Sequence, residues 1–348
     1  MLSILAPLSF LVASSLVVLS SISPQLFKQQ SLWVILGAVI IAFFMFRDWR
    51  TFIKYRWFIN GLYLLTVALL ILVYFIGPTI NQTRGWLVLG PFTFQPVELA
   101  KVSLILFLAN FFSRKHQSIG HWKTIISSFI YFAIPGFLVA LQPDFGSLLI
   151  LFGIWFGFLM VSGLPLKRLA VAVSVFAIAG FFMWSTVLKD YQRERIIGVF
   201  QPNQNALSIN YSVNQSKIAI GSAGFFGKGY NQGSQTQLGF LTEPETDFIL
   251  AALIEEWGWL FGFLVIGAFI YLVFRILKIA SWASQNFEKF VCLGAAVSLI
   301  WQFFLNVGSV LGISPVIGVT FPFLSYGGSS LLTSFFLIAI INSIARKV

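Results

Sequence analysis

An all-α polytopic membrane protein is the fold class this sequence predicts, on three observations. Of its 348 residues, 58% are hydrophobic and only 9% charged, whereas a soluble domain carries roughly 25% charged residues. Apolar runs long enough to cross a bilayer, roughly 17–25 residues, recur along the chain and predict ten transmembrane helices. The connections between those runs carry their cations on alternate sides.

The first run, 2–22, has no basic stretch ahead of it and predicts a first spanning helix, not a cleaved leader. Runs 30–46, 57–77 and 97–112 follow. The fourth opens on Pro96 with Glu98 in its first turn, as helix starts favour. Run 124–141 precedes 147–161, which is short and follows Pro143 and Gly146, so this region is a candidate re-entrant stretch. Runs 169–187, 248–274, 290–311 and 329–345 complete the set. Between helices 7 and 8 lies 188–247, far longer than an ordinary connection and therefore read as functional. Within it, Ile209 to Ile220 mixes apolar and polar residues like a helix lying on a membrane face. Asn306 to Ser330 is rich in Gly, Pro and Ser where membrane is expected. Broken backbone at that depth needs cover from protein or a water-filled cavity, which predicts a re-entrant segment before helix 10. No repeat and no separate soluble domain is visible, so 1–348 reads as a single membrane domain.

Connections 47–56, 113–123, 162–168, 275–289 and 346–348 hold most of the 22 Lys and Arg, whereas the short connections opposite hold only Lys28, Arg84 and Lys101. The positive-inside rule makes the first set cytoplasmic, with both termini inside and 188–247 outside. The net charge of +11 thus reports topology and gives no reason to expect nucleic acid. Of the 11 acids, only Asp48 and Glu288 fall in the cytoplasmic set. Acids count little toward insertion, so their crowding on the outer side points to outward-facing function. The single Cys292 excludes an internal disulfide, and no Cys/His metal pattern exists, the two histidines His116 and His121 sharing one cytoplasmic loop.

Asp247 closes the polar stretch and opens the eighth apolar run. A carboxylate there is a functional-site candidate by default, against the alternative that Thr246 and Asp247 merely cap the helix. Glu255 and Glu256 follow, roughly 80° and 180° around that helix from Asp247, as site residues or as partners in an ion pair between helices. The nearby cations Arg193, Arg195, Lys217 and Lys228, with Arg84 in Arg84-Gly85-Trp86, suit a phosphate-bearing lipid. The stretch 221–229 fails the phosphate-loop pattern, Ser222 standing at the first Gly position and Gly229 after Lys228, and reads as an anion nest or a plain loop. Glu98 with Lys101, and Asp144 in Gln142-Pro-Asp-Phe-Gly146, are caps and pairs or second-rank site residues.

Taken together these segments resemble the SEDS family, the RodA/FtsW group of polytopic cell-wall proteins, over nearly the whole chain. The closing Asn306…Pro315…Gly318…Phe321-Pro-Phe-Leu-Ser-Tyr-Gly-Gly-Ser-Ser330 is the most specific match. Arg84-Gly-Trp, Gln95-Pro-x-Glu-x-x-Lys101, Gln142-Pro-Asp-x-Gly146, Gln215-Ser-Lys-Ile-Ala-Ile-Gly221 and Arg193-x-Arg195 with Phe200 and Pro202 also match. Gly233-x-Gln235-x-Gln237-Leu resembles the RodA branch more than FtsW. The family's Leu-Pro-Glu-x-His-Thr-Asp-Phe stretch stands here as Leu241-Thr-Glu-Pro-Glu-Thr-Asp247-Phe248, with Thr242 for Pro and Glu245 for His, and Ala223 replaces a usual Gly.

The resemblance implies a peptidoglycan glycosyltransferase, of the hexosyltransferase class, that polymerises lipid II (an undecaprenyl-pyrophosphoryl disaccharide-peptide) at the outer face of the cytoplasmic membrane. Its implied partners are a class B penicillin-binding protein transpeptidase, other elongation-complex proteins and membrane lipid. Asp247 is the expected catalytic residue, as general base or as ligand of a divalent cation, Mg or Mn; no other cofactor is expected. Arg84, Lys101, Arg193, Arg195, Lys217 and Lys228 are expected to steady the departing pyrophosphate, with Arg84 and Lys101 ranked first for their more rigid settings. Glu98, Asp144, Glu243, Glu255, Ser325 and Ser329 complete the expected substrate site. The rival readings are a lipid II flippase or secondary transporter, which predicts inverted repeats and midplane polar sites, and a scaffold, which leaves the one-sided acids unexplained.

Overall fold

The structure, a computed structural model, describes residues 2–46, 55–80, 83–90, 92–115, 121–182, 184–185, 190–201 and 210–346. Asp48, His116, Pro202 and Ile209 of the sequence analysis lie outside the described residues.

Helices α1 (Leu2–Ile22), α2 (Pro24–Phe46) and α3 (Arg56–Ile76) open the chain. After β1 (Leu87–Leu89) and β2 (Phe92–Phe94) come α4 (Pro96–Lys115), α5 (Trp122–Leu141), α6 (Phe145–Val161) and α7 (Leu166–Phe182). The stretch read as a long loop contains α8 (Asp190–Phe200), α9 (Tyr211–Ser222) and the single turn α10 (Ser234–Gln237). Then follow α11 (Ile249–Trp282), α12 (Asn286–Leu311) and α13 (Gly328–Ala345). Among the described residues eight helices, α1–α5 and α11–α13, are long and apolar enough to cross a membrane, and α6 is a shorter apolar helix.

The architecture departs from the all-α expectation at β1 and β2. They form an antiparallel hairpin that pairs Leu87 with Phe94 and Val88 with Thr93. Two short β-prone triplets flank Gly90, which sits at φ 64, so turn chemistry outweighed the helical surroundings.

α4 is the central helix. It is buried on every side, through Ala100, Leu104, Ile105, Leu108 and Phe112 among others, and α3, α5, α6, α12 and α13 pack around it. A helix buried all round marks the core of a large bundle. α1 packs on α11, α2 on α13, and α12 bridges α11, α4 and α6. Outer faces such as Leu32, Ile35, Leu36, Val39 and Phe43 of α2 stay exposed and apolar, as a lipid-facing surface requires.

Two departures from helical regularity build the end of the bundle that carries Asp247. α11 breaks at Gly258 (φ 82, ψ 173), a backbone region open essentially to glycine alone. The break frees the carbonyls of Glu255 and Glu256 to accept from the N–H groups of Lys228 and Gly229, both at 3.0 Å. The Trp259 and Leu260 N–H groups donate back to the carbonyls of Gly224 and Phe225. The glycine-rich stretch is therefore a docking strap on the broken helix, and its Lys228 and Gly229 N–H groups are turned to carbonyls, not outward as an anion nest. The second departure lies between α12 and α13. α12 ends where Gly312 turns left-handed (φ 71, ψ 27) and returns its N–H to Gly308 and Ser309. Residues 306–311 are thus helical, and only 312–327 of the predicted broken segment is irregular. That segment threads back into protein, with Phe321, Phe323, Leu324 and Ser325 buried. α9 coincides with the predicted surface helix but rests on α11 and α12, fastened by the Ser216 hydroxyl donating to the Val310 carbonyl at 2.9 Å.

Replacing Gly258 by alanine should destabilise the protein by about 1–3 kcal/mol, because its Cβ would collide with the Phe225 carbonyl and the Gly227 N–H. A thermal unfolding curve in detergent reads the loss; an unchanged midpoint would contradict the assigned backbone.

Candidate active site

Asp247 stands at the end of a turn, not at a helix cap. Glu243 adopts a left-handed φ of 47, and its carbonyl accepts from the N–H groups of Thr246 (3.2 Å) and Phe248 (3.3 Å). α11 then begins at Ile249 with Phe248 at the N-cap position and no side-chain cap. The capping alternative for Thr246 and Asp247 is therefore corrected. Among the described residues no hydrogen bond or ion pair holds the Asp247 carboxyl, while its own carbonyl accepts from Asn306 Nδ2 at 3.0 Å.

The turn is tied at three consecutive carbonyls, two to the irregular segment and the third to α12. Glu245 O accepts from the Tyr326 N–H at 2.8 Å, Thr246 O from the Ser325 hydroxyl at 2.7 Å, and Asp247 O from Asn306. The segment is held in turn from α2. Gln30 Nε2 donates to the Ser325 carbonyl at 3.2 Å, and the Tyr326 hydroxyl donates to Gln29 Oε1 at 2.6 Å.

Half-burial of its carboxyl, with the negative charge of Glu243, pushes the Asp247 pKa up to about 7; Arg195 opposes that rise and Glu245 adds to it. Burial likewise raises Glu245, with Glu243 adding. Such a carboxyl changes protonation near neutral pH, where proton transfer is most effective.

Arg195 projects from α8, donates to the Val316 carbonyl at 3.0 Å, and lines a cavity of about 80 Å³ with Lys217, Asn210, Ser212, Asn214 and Pro315. Two cations and several amide and hydroxyl groups around one small cavity form a donor-rich site for an anion. Arg193 donates to the Ser185 carbonyl, ahead of α8, at 3.1 Å and lies 3.8 Å from Asp190 of its own helix.

A second cluster gathers at the N-terminal ends of α4 and α6. Asp144 caps α6, accepting from the Ser147 N–H at 3.0 Å, the Ser147 hydroxyl at 2.8 Å and Gln95 Nε2 at 3.2 Å. Burial raises its pKa against those bonds. The Ser329 hydroxyl accepts from the Gln95 N–H at 3.1 Å. Lys101 and Glu98 form a buried ion pair at 2.7 Å, with side chains 5% and 8% exposed. Gln302 Oε1 accepts from Lys101 at 3.4 Å, and the Thr333 hydroxyl donates to Glu98 at 3.3 Å. Lys101 is thus engaged inside the bundle. Arg84 is exposed, its Nε donating to Thr79 Oγ1 at 3.2 Å.

Glu255 and Lys228 are brought together, away from this cluster. Glu255 is wholly satisfied: Lys228 Nζ at 2.7 Å, the Gln235 and Thr236 N–H groups at 2.8 and 3.0 Å, and the Thr236 hydroxyl at 2.8 Å. Glu256 accepts from the Ser21 hydroxyl at 2.6 Å and Gln237 Nε2 at 2.8 Å. The ion pair expected between helices is formed instead between α11 and the glycine-rich strap, which it clamps on the helix. Sequence reasoning did not single out Gln30, Gln302 or Thr333. The signal was there: a glutamine inside an apolar helical run must find an internal partner.

The donor set does not build a cage for a resident cation. Among the described residues no three His, Cys, Asp or Glu side chains gather to hold a metal, and Asp247 offers one carboxylate.

Comparison with known proteins gives a consistent picture. The sequence model of the FtsW/RodA/SpoVE family, described as cell cycle protein, matches residues 1–348. The peptidoglycan glycosyltransferase MrdB of Escherichia coli (strain K12) is 39% identical over 273 residues, 78% of this chain and 73% of that protein. Among solved structures, a chain from work on the coordination of polymerization and crosslinking by a peptidoglycan synthase complex superposes with a TM-score of 0.87 at 28% identity, covering 100% of this chain and 98% of that one. The crystal structure of the rod shape determining protein RodA of Thermus thermophilus gives a TM-score of 0.73 at 26% identity, covering 100% and 97%.

Removing Lys101 alone, as Lys101→Met, should lower stability by about 3–5 kcal/mol, because Glu98 is left buried without its counter-charge. The double variant Glu98→Gln/Lys101→Met should recover most of that loss. Melting midpoints check this, and a single variant as stable as the double would contradict the pairing.

Proposed function

Because this chain belongs to the FtsW/RodA/SpoVE family of cell cycle proteins, we propose that the half-buried carboxyl of Asp247 is the general base of its reaction. The chain is a peptidoglycan glycosyltransferase of cell-shape synthesis. Its substrate in this reading is lipid II. The hydroxyl of the acceptor sugar attacks the anomeric carbon of the donor, and the bond from that carbon to the pyrophosphate oxygen breaks. Undecaprenyl pyrophosphate leaves with the electron pair, and Asp247 takes the hydroxyl proton. No nucleotide is needed, since the pyrophosphate leaving group supplies the driving force.

The observation that carries this reading is the environment of Asp247. The other outer carboxylates whose surroundings are described in detail, Glu98, Asp144 and Glu255, are engaged by cations or hydrogen-bond donors, whereas Asp247 is half-buried and its pKa is pushed to about 7. Arg195 and Lys217 are the cations best placed for the departing pyrophosphate, because both line the cavity beside the turn. Preorganised charge there lowers the barrier as negative charge develops. Arg84, exposed near Asp144, is a candidate for a second phosphate-bearing group. Lys228 and Glu255 act in holding the fold. A divalent cation would arrive with the phosphates of the substrate, with Asp247 as its one carboxylate ligand from this turn.

We read the membrane arrangement as ten spans, with α6 and α7 added to the eight longer helices. In that arrangement both termini are cytoplasmic in the inner membrane, 188–247 is extracytoplasmic, and 312–327 is the re-entrant segment before the last span. The charge asymmetry of the connections supports it. A class B penicillin-binding protein is the proposed partner within an elongation complex, supported by the likeness to a chain of a peptidoglycan synthase complex.

Asp247→Asn should fold and lose lipid II polymerisation by about 100-fold or more; a folded variant with full activity would overturn the assignment. The rate should rise with pH through about 7 and level above it, following ionisation of Asp247. Glu243→Gln removes a charge that raises the Asp247 pKa, so the rising limb should move to lower pH; a limb that stays put would show that another group is titrating. Lys217→Ala should reduce kcat/KM by about 10–100-fold with the pH profile unchanged in shape, read in the same assay.

A further inference from the structure

Asp247 has no side-chain hydrogen bond to orient it among the described residues. The direction of its carboxyl therefore depends on the backbone that carries it. At residues 245–247 that backbone is gripped by Asn306 of α12 and by Ser325 and Tyr326 of the irregular segment. From this geometry we propose that Ser325 and Asn306 are positioning residues that hold the Asp247 carboxyl in its reactive direction. The inference rests on the reading of Asp247 as general base.

The Ser325 hydroxyl is fully committed inside the protein. It donates to the Thr246 carbonyl at 2.7 Å and accepts from the Phe321 N–H at 2.8 Å, and the residue is buried. It has no face to offer a substrate, which moves it from the expected substrate contacts to a support behind the turn. Asn306 is wholly buried at 0% exposure. Its Nδ2 joins two chain segments, donating to Asp247 O at 3.0 Å and Val319 O at 2.8 Å, while its Oδ1 is buried without a partner. Leaving Oδ1 unmatched costs stability, while Nδ2 fixes the carbonyl of Asp247 itself. Ser325 and Asn306 belong to different elements, so the turn is held at adjacent residues by independent supports.

Ser325→Ala, Ser325→Thr and Asn306→Ala in the full chain with its transpeptidase partner, assayed on lipid II beside Asp247→Asn, test the inference. A base displaced by about 1 Å can lose about 100-fold in rate. Both alanine variants should therefore lose kcat by about that factor, with KM for lipid II within about twofold of wild type. Loosening the turn admits water to the carboxyl, so the rising limb of the pH profile should move to lower pH. Glu243 and Glu245 on the turn and Arg195 of α8, the charges that face Asp247, are unchanged in these proteins. Ser325→Thr keeps the hydroxyl and should recover at least about tenfold of the loss. Wild-type kcat in both alanine variants, or a folded Ser325→Thr no better than Ser325→Ala, overturns the inference. So does activity that falls only in step with the folded fraction, read by melting curve and gel filtration, with the limb unmoved. An active Asp247→Asn overturns the base assignment instead. An inactive Asp247→Asn beside fully active alanine variants overturns the positioning role alone.

Discussion

Irregular backbone inside a membrane protein has to satisfy its N–H and C=O groups within the protein, and the outer end of this molecule is built around that requirement. Residues 312–327 and the turn 241–248 are both non-helical, and each supplies part of what the other lacks. Carbonyls 245, 246 and 247 accept from Tyr326, Ser325 and Asn306, and the segment is fastened to α2 through Gln29 and Gln30. Buried irregularity is what delivers a carboxylate to a defined place at the end of a helix without making it the helix cap.

The acids near this end of the bundle divide by environment. Glu98 and Glu255 are joined to lysines at 2.7 Å and surrounded by donors, so they knit elements together. Breaking such pairs leaves a buried charge, which is why they hold structure more than they carry chemistry. Asp247 is the opposite case, half-buried with Glu243 and Glu245 near it and Arg195 as its cationic neighbour. Burial and like charges together keep its proton until near-neutral pH. The same Arg195 lines the anion-suited cavity with Lys217, so one cation both lowers the Asp247 pKa and faces that cavity.

Much of this was legible in the sequence. Among the described residues every predicted apolar run coincides with a helix, because the length and hydropathy of a membrane helix are set by the bilayer and not by details of packing. The helix start at Pro24 was missed by several residues, since Lys28, Gln29 and Gln30 look like a polar connection. Only the fold shows that Gln30 turns inward to the irregular segment. Asp247, Arg195 and Lys217 were legible as site candidates from residue type and spacing. The division of the cations was not. Lys101 and Lys228 read like phosphate ligands until the structure pairs them with Glu98 and Glu255, contacts set by i,i+3 geometry in one case and by the Gly258 break in the other. The small hairpin at 87–94 and helix α8 were hidden, the first by its brevity and the second by its polar composition.

Everything turns on a carboxyl that the fold leaves half-buried and, among the described residues, without a hydrogen-bond partner. Infrared titration of the wild-type protein, with the Asp247 carboxyl band assigned by its disappearance in Asp247→Asn, measures this directly. The account predicts a midpoint at about 7. A midpoint at the ordinary aspartate value of 3.8 would show an open, fully hydrated carboxylate and would contradict it.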